Sequence, residues 1–148
     1  MKKSIYLLPG MAILIAVLGI SANAQSRNQQ QLMVNIPFDF NVGDTALPAG
    51  EYTVSIVNPL ASRSVLRLKS NDGHSSVLTQ TTDVIGWSTD NAKLTFRQYG
   101  ERYFLAQVWM ASESNGLAAP RSSSEKSVQR QLGNKRNGYD TVAVNAHK

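Results

Sequence analysis

The sequence predicts an all-β domain, mainly antiparallel, with one short helix near the C-terminus. Several segments alternate apolar and polar residues with a period of two. Gly, Pro, Asn and Asp residues separate these segments at short intervals, as in turns between strands. Residues 103–110 are apolar on both faces over most of their length, which is typical of a covered central strand. We expect a small β-sandwich, with a barrel as the second alternative.

The first predicted strand covers residues 32–40, in which every second residue is apolar. Pro37 lies on the outward-facing set and cannot donate a backbone hydrogen bond, so we expect a sheet edge or a bulge there. A turn follows at 41–44. The turn at 47–51 contains Pro48 and Gly50 and leads into a strand at 52–57.

Two hairpins are predicted further along. The first joins residues 64–69 to 76–81 through a turn at 71–74. The second joins 93–99 to 102–110 through Gly100-Glu101, a pair suited to a type II′ turn. The register of the second hairpin pairs these residues: Tyr99 with Arg102, Arg97 with Phe104, and Phe96 with Leu105.

The C-terminal part changes in character. Ser122 to Ser124 offer a serine N-cap, Glu125 lies early in the segment and Gly133 ends it, which predicts a short helix within 121–133. Its apolar face is thin, so we expect it at the rim of the domain. Residues 134–148 read as a flexible basic tail, although 141–144 could add to the sheet as a late strand.

The N-terminus has the pattern of a cleavable secretory signal peptide over residues 1–24. Lys2 and Lys3 precede an uncharged apolar stretch, and the small residues around Asn23 form a cleavage site between Ala24 and Gln25. The apolar stretch is too short for a membrane span, so no span is expected after cleavage. A polar segment at 25–31 then leads into the β-domain at 32–120. The protein is therefore expected to be exported, to the periplasm or the cell exterior.

Composition and charge narrow the function classes. The sequence has no cysteine, which excludes disulfides, thiolate metal sites and cysteine nucleophiles. The formal net charge is +5, but residues 25–120 carry seven Lys or Arg and eight Asp or Glu. The excess of positive charge lies in residues 121–148, with six basic and two acidic residues. No nucleic-acid partner is expected from this distribution.

No catalytic constellation is evident in the sequence. The two histidines, His74 and His147, have no second ligand at metal-binding spacing, so neither a metal nor a cofactor is expected. No catalytic residue is assigned, and we expect the protein not to be an enzyme. A hydrolase that uses Asp39, Asp44 or His74 is the least favoured alternative.

Aromatic and basic residues interleave along the second hairpin, a pattern that could stack on sugars or bases. Packing between neighbouring strands explains it more simply. Trp87 follows Gly86 in a predicted loop, where an isolated tryptophan either closes a core or binds a ligand. The candidate ligand-binding residues are Tyr52, Trp87, Arg97, Tyr99, Arg102, Tyr103 and Trp109.

Three sequence blocks, in this order, resemble an uncharacterised family of small exported bacterial β-proteins. They are IPFDF at 36–40 with a following Val-Gly, LPAG at 47–50 with a following Tyr, and YG, YFL and VW within 99–109. Ser122 to Glu125 matches the family's Ser-x-x-Glu helix. Residues 111–113 depart from the pattern, because a turn with glycine is expected there. The resemblance implies an exported β-fold and supplies no catalytic residues.

We therefore expect an exported, non-enzymatic β-domain with a binding or structural role in the cell envelope. Its partner is unknown, and an envelope component or a small ligand would both fit. A carrier or sensor of a small apolar ligand is the alternative, since the apolar strand at 103–110 could face an internal cavity.

Overall fold

The computed structural model describes residues 31–57, 64–132 and 138–147. The expected signal peptide, its cleavage point and most of the polar segment after it lie outside the described residues. The elements are β1 (Gln31–Ile36), β2 (Phe40–Val42), β3 (Thr45–Leu47), β4 (Gly50–Ile56), β5 (Val65–Ser70), β6 (Ser76–Gln80), β7 (Thr82–Ile85), β8 (Lys93–Tyr99), β9 (Arg102–Trp109), β10 (Asn115–Ala118), α1 (Ser123–Gln131) and β11 (Asp140–His147).

The described strands form one large sheet that is nearly closed into a barrel-like shape. Its continuous order is β3-β2-β9-β8-β11-β1-β4-β5-β6, and β10 joins β9 to β7. Neighbours pair antiparallel except β2 and β9, which are parallel. The predicted all-β, mainly antiparallel class with a short helix is confirmed. In its nearly closed shape the structure is closer to the barrel, the second alternative, than to the expected sandwich.

Two elements bring the ends of the sheet together. β11 pairs with β8 through residues 140–145 and with β1 through Ala146 and His147. On the other side, β6 pairs with β5, and the chain then bends at Thr81 so that β7 pairs with β10. The backbone N–H and the Oγ1 of Thr81 both donate to the carbonyl oxygen of Ser64 at 2.8 Å. These bonds hold the bend, because they satisfy the polar groups of a buried residue.

Alternating apolar residues fill the interior of this sheet. In β1 and β5, for example, every second side chain is buried and the intervening ones are exposed. The ring of Phe40 meets those of Tyr52 and Phe96 edge-on, with centroids 5.2 and 5.5 Å apart. Such packing stabilises the cysteine-free domain through burial of apolar surface.

The β8–β9 hairpin confirms the predicted register, and Gly100 has the positive φ of 60° that a type II′ turn requires. A bulge at Ala106 follows the pairing of Phe96 with Leu105. β9 is covered on both faces, as predicted. Leu105 and Val108 point into the core, whereas Phe104 packs beneath α1 in a second apolar cluster.

Several sequence-based expectations are corrected. The predicted strand 32–40 is two strands, β1 and β2, because the chain bends at residues 37–39 and crosses to β9. The sequence analysis also missed the short strands β3, β7 and β10. Residues 140–147 of the expected flexible tail are β11, which lies between β8 and β1. The alternative of a late strand at 141–144 is thus the one that the structure has, because tertiary pairing stabilises a segment with a weak pattern.

Ser112 occupies the segment where the family resemblance implies a glycine-containing turn. Its φ is 62°, a left-handed conformation that L-residues other than glycine rarely adopt. A residue with positive φ is therefore present in this segment, and it is a serine. The N–H of Ser112 donates to the carbonyl of Thr89 at 2.8 Å, which ties this turn to the loop after β7.

The helix α1 is capped as the sequence predicts. Ser122 is the N-cap, and its hydroxyl accepts from the N–H of Glu125 at 3.1 Å. The Asp44 carboxylate, from the β2–β3 turn, accepts from Ser124 N and Ser123 Oγ, each at 3.0 Å. These hydrogen bonds lower the pKa of Asp44. The helix is thereby fastened at its N-terminus to a distant part of the chain.

Candidate functional site

Three of the seven candidate ligand residues pack within the domain. Tyr52 is buried, its hydroxyl donates to the Pro48 carbonyl at 2.7 Å, and burial raises its pKa. Tyr103 stacks on Phe38 with centroids 3.9 Å apart. Tyr99 is buried in the cluster under α1. These aromatic side chains stabilise the fold and offer little surface to a ligand.

Arg97 and Tyr99 converge on Glu125 of α1, whose side chain is 1% exposed. Arg97 donates from Nε to Oε1 at 2.5 Å and from a terminal nitrogen to Oε2 at 3.0 Å. The Tyr99 hydroxyl donates to Oε1 at 3.0 Å. Burial, together with the nearby Glu125 carboxylate, raises the pKa of Tyr99 to about 12.

This cluster anchors the helix on the outer face of β8 and β9. Arg97 also donates to the Leu105 carbonyl at 3.2 Å, so its guanidinium joins two strands to α1. Arg121 lies 3.8 Å from Glu125 and places its guanidinium carbon 5.3 Å from the centre of the Tyr139 ring. Because the hydrogen bonds of the carboxylate go to groups of the protein itself, the cluster is structural.

Trp109 is also a packing residue. Its indole lies flat over the glycines of two neighbouring segments and donates from Nε1 to the Gln107 side chain at 3.1 Å. A Cβ at Gly86 would be 2.3 Å from the indole, and one at Gly116 would be 2.8 Å from it. Both positions therefore require glycine for the indole to cover the outer face of β10.

Trp87 and Arg102 are the two candidates with exposed side chains. Arg102 begins β9, whereas Trp87 follows Gly86, which contacts Trp109 at the other end of that strand. A strand of this length spans about 23 Å at roughly 3.3 Å per residue. The structure thus does not bring the seven candidates into one site.

The most exposed apolar surface among the described residues lies around Trp87. Its side chain is 92% exposed, and Ile85, two residues earlier, is 89% exposed. We call residues 85–87 the Ile85–Trp87 strip. The sequence analysis singled out Trp87 but missed Ile85, because a short apolar run at residues 84–85 reads equally well as buried strand.

Hydrogen bonds hold the strip at its middle residue and the chain shortly after it. Gly86 donates from its N–H to the Ser114 carbonyl at 2.8 Å, directly after β7. Thr89 accepts from Ser112, and its hydroxyl donates to the Asn91 carbonyl at 2.9 Å. The exposed apolar side chains therefore project from an anchored segment, which lowers the entropy cost of binding.

The charged residues close to the strip along the chain all have the same sign. Residues 71–92 contain three Asp and no Lys or Arg. Asp83 lies on β7, two residues before Ile85, and Asp90 lies in the loop after Trp87. The chain on either side of the strip therefore carries only acidic charges, although the overall charge of the protein is positive.

Two shallow grooves lie elsewhere, on the outside of the sheet, each with a volume of about 250 Å³. Both are lined by Glu51 and Asn71, whose side chains contact each other at 3.4 Å. His147 lines one groove, and Asp72 lines the other, where it lies 3.5 Å from His74. Within the described residues, no three metal-binding side chains form a cluster.

The residues of the hydrolase alternative have structural partners. Asp39 accepts from the Ala49 N–H at 2.8 Å, and Asp44 caps α1. His74 is an exposed residue of the β5–β6 turn and its N–H donates to the Asp72 carboxylate at 2.9 Å. This arrangement offers no observation that favours a hydrolase.

Comparison of the chain with protein-family models, with curated proteins and with solved structures finds no match. Among the described residues, no helix has the length and apolarity required to cross a membrane.

Proposed function

We propose that this protein is an exported, non-catalytic binding domain whose partner contacts the Ile85–Trp87 strip. The observation that carries the proposal is the exposure of two large apolar side chains on an anchored segment. Exposed apolar surface on a soluble domain is costly unless a partner covers it. Tryptophan is also among the residues that contribute most to binding energy at protein interfaces.

The proposal fits the remaining features of the site. Trp87 is the exposed residue among the five aromatic candidates. The other four pack within the domain: Tyr52, Tyr99, Tyr103 and Trp109. The described side chains fill the interior of the sheet with one continuous apolar cluster. A surface site is therefore favoured over binding inside the sheet.

The experiment places a photo-reactive amino acid at position 87 of the protein expressed in its own host. A discrete cross-linked product is expected from position 87. A matched control at Met33, which is 42% exposed on β1, should give none. The cross-linked partner is then purified and its affinity measured for the unmodified protein, for Trp87→Ala and for Met33→Ala.

Trp87→Ala should weaken binding about 30-fold or more, which corresponds to the 2 kcal/mol of an interface hot spot. Met33→Ala should change it by less than about threefold. Equal affinity of the Trp87→Ala variant and the unmodified protein would refute the proposed site. The same preparation tests export, because the N-terminal residue of the purified protein should be Gln25, and a retained Met1 would contradict cleavage.

A further inference from the structure

We propose that Met33 and His147 bind a single copper(I) ion in the groove on the outer side of β1 and β11. This inference goes beyond the proposed function, because the site shares no residue with the Ile85–Trp87 strip. Two observations carry it: the register of β1 against β11, and the groove that both side chains line.

The register of β1 against β11 makes the two side chains direct neighbours. Met33 lies opposite His147, and the next pair is Val34 with Ala146. Val34 and Ala146 are buried in the core, so Met33 and His147 project from the outer face of the sheet, where both are exposed. Directly opposite residues of an antiparallel pair have Cβ atoms about 4.5–5.5 Å apart.

This separation suits one shared metal ion. Bonds from a metal ion to an imidazole nitrogen or to sulfur are about 2.0–2.3 Å long, so one ion brings the two ligand atoms within about 4.3 Å of each other. The thioether of Met33 ends an unbranched side chain with three rotatable bonds. Met33 can therefore turn its sulfur toward an ion at His147 without movement of either strand.

The groove provides space and negative charge beside this pair. It has a volume of about 250 Å³, and its lining includes Met33, Glu51 and His147. Glu51 lies on β4, the strand that pairs with β1, two residues before Thr53, which is opposite Met33. The Glu51 carboxylate is thus a diagonal neighbour of Met33, and its negative charge favours a bound cation.

The combination of a thioether with an imidazole selects the metal. Soft sulfur ligands favour copper(I), and imidazole also suits copper, whereas zinc sites use thiolate, imidazole and carboxylate ligands. Histidine and acidic side chains alone form no metal cluster within the described residues. The thioether of Met33 is therefore the ligand that gives His147 a partner. Local spacing in the sequence could not show this pair, because its members lie at opposite ends of the chain.

A shared ion would join β11 to the strand with which it has the shorter pairing. Within the described residues, β11 pairs with β8 through six residue pairs and with β1 through two. A ligand that binds only the folded state stabilises that state by mass action. We therefore expect copper(I) to hold the C-terminal strand in the sheet and to slow its opening.

The first test is an NMR titration of the purified protein, without a histidine tag, with copper(I) kept reduced by ascorbate. The Met33 methyl signal and the His147 ring signals should shift together and saturate at one equivalent of copper(I). Met110, which is buried, and His74, on the β5–β6 turn, are the matched controls, and their signals should not shift.

The same sample reports whether the ion joins the two strands. The N–H of Ala146 donates to the Ala92 carbonyl at 2.8 Å, so its exchange with solvent requires β11 to open. At a free copper(I) concentration of roughly ten times Kd, this exchange should slow about tenfold. Unchanged exchange at saturation would contradict an ion shared by β1 and β11.

The second test measures copper(I) affinity for single variants. Met33→Leu removes the thioether at nearly constant volume, and His147→Gln removes the imidazole. Each should weaken binding at least about tenfold, which corresponds to about 1.4 kcal/mol. His74→Gln should change the affinity by less than about twofold, and zinc(II) should bind the unmodified protein at least about tenfold more weakly than copper(I). The replaced side chains are exposed, so all three variants should fold.

Three further results would overturn the site. The first is no shift of the Met33 methyl signal up to roughly 1 mM copper(I), the weakest affinity of interest. The second is equal affinity of Met33→Leu and the unmodified protein, which would indicate binding by a lone imidazole. The third is tighter binding of zinc(II) than of copper(I), which would exclude the thioether as a ligand. None of them bears on the Ile85–Trp87 strip, because partner affinities are measured in copper-free buffer, where Met33→Ala stays a valid control.

Discussion

Replacement of Glu125 by alanine should be among the most destabilising single substitutions in this domain. The change removes two hydrogen bonds from Arg97 and one from the Tyr99 hydroxyl. It leaves Arg97, whose side chain is only 11% exposed, without its counter-charge. Breaking a buried ion pair by removal of one partner costs about 3–5 kcal/mol, because a buried charge is then uncompensated.

A loss of this size is a large part of the 5–15 kcal/mol that typically stabilises a domain. Urea unfolding followed by far-UV circular dichroism measures it, and the midpoint should fall without a change in the slope. Lys126→Ala is the matched control, because Lys126 is the next residue on α1 and is exposed. Its effect should stay within about 0.5 kcal/mol.

A double-mutant cycle separates the ion pair from the loss of packing. Arg97→Met and Glu125→Ala together should cost less than the sum of the two single substitutions, because the double variant buries no unpaired charge. If Glu125→Ala lowers stability by less than about 1 kcal/mol, the ion pair does not hold α1 on the sheet and the reasoning is refuted.

Two further predictions concern packing and pH. Gly116→Ala should lower the free energy of unfolding by about 1–3 kcal/mol, because its Cβ would be 2.8 Å from the Trp109 indole. Calorimetry should show a smaller loss when the same substitution is made in a Trp109→Leu background. An equal loss in the two backgrounds would contradict this contact. The raised pKa of Tyr99, about 12 against 10.0 for a free tyrosine, stabilises the folded state at pH values below 10. That contribution should be lost as the pH rises from about 10 to about 12, since unfolding then allows Tyr99 to ionise. Urea midpoints across this range should fall less steeply for Tyr99→Phe, and identical slopes would refute the assignment.

The hairpin of β8 and β9 shows what local pattern predicts well. Its turn contains the Gly-X pair that a two-residue loop requires, and this turn sets the register of every pair that follows up to the bulge. The N-cap of α1 was equally predictable, because Ser122 lies three residues before Glu125 and its hydroxyl accepts from the N–H of Glu125 at the start of the helix. Both features depend on interactions between residues close in the chain.

The position of β11 shows where local pattern fails. Thr141 to Val144 have a weak alternation next to a basic segment, which favoured a tail over a strand. In the structure, β11 pairs with β8 on one side and with β1 on the other, and the hydrogen bonds to these strands stabilise the segment. Partners that lie more than forty residues away along the chain do not show in a local pattern.

The binding site was predictable only in part, for the same reason. Tyr52, Tyr99 and Trp109 share the residue types of a ligand surface, and nothing in their local sequence distinguishes packing from exposure. The hydrogen bond of Tyr99 to Glu125 and the close approach of the Trp109 ring to two glycines join segments from different parts of the chain. Trp87 differs from them because its neighbours are glycine and polar residues, a sign of a loop that the sequence did show.

The sequence by itself determined the strand class of the domain, the central hairpin, the capped helix and the lack of cysteine chemistry. These follow from side-chain periodicity, turn geometry and composition, which are local properties. Only the tertiary structure decided that the sheet nearly closes, that Glu125 is buried against Arg97, and that Ile85 and Trp87 are left uncovered. Burial and ion pairing depend on which distant segments meet, and that is decided when the whole chain packs.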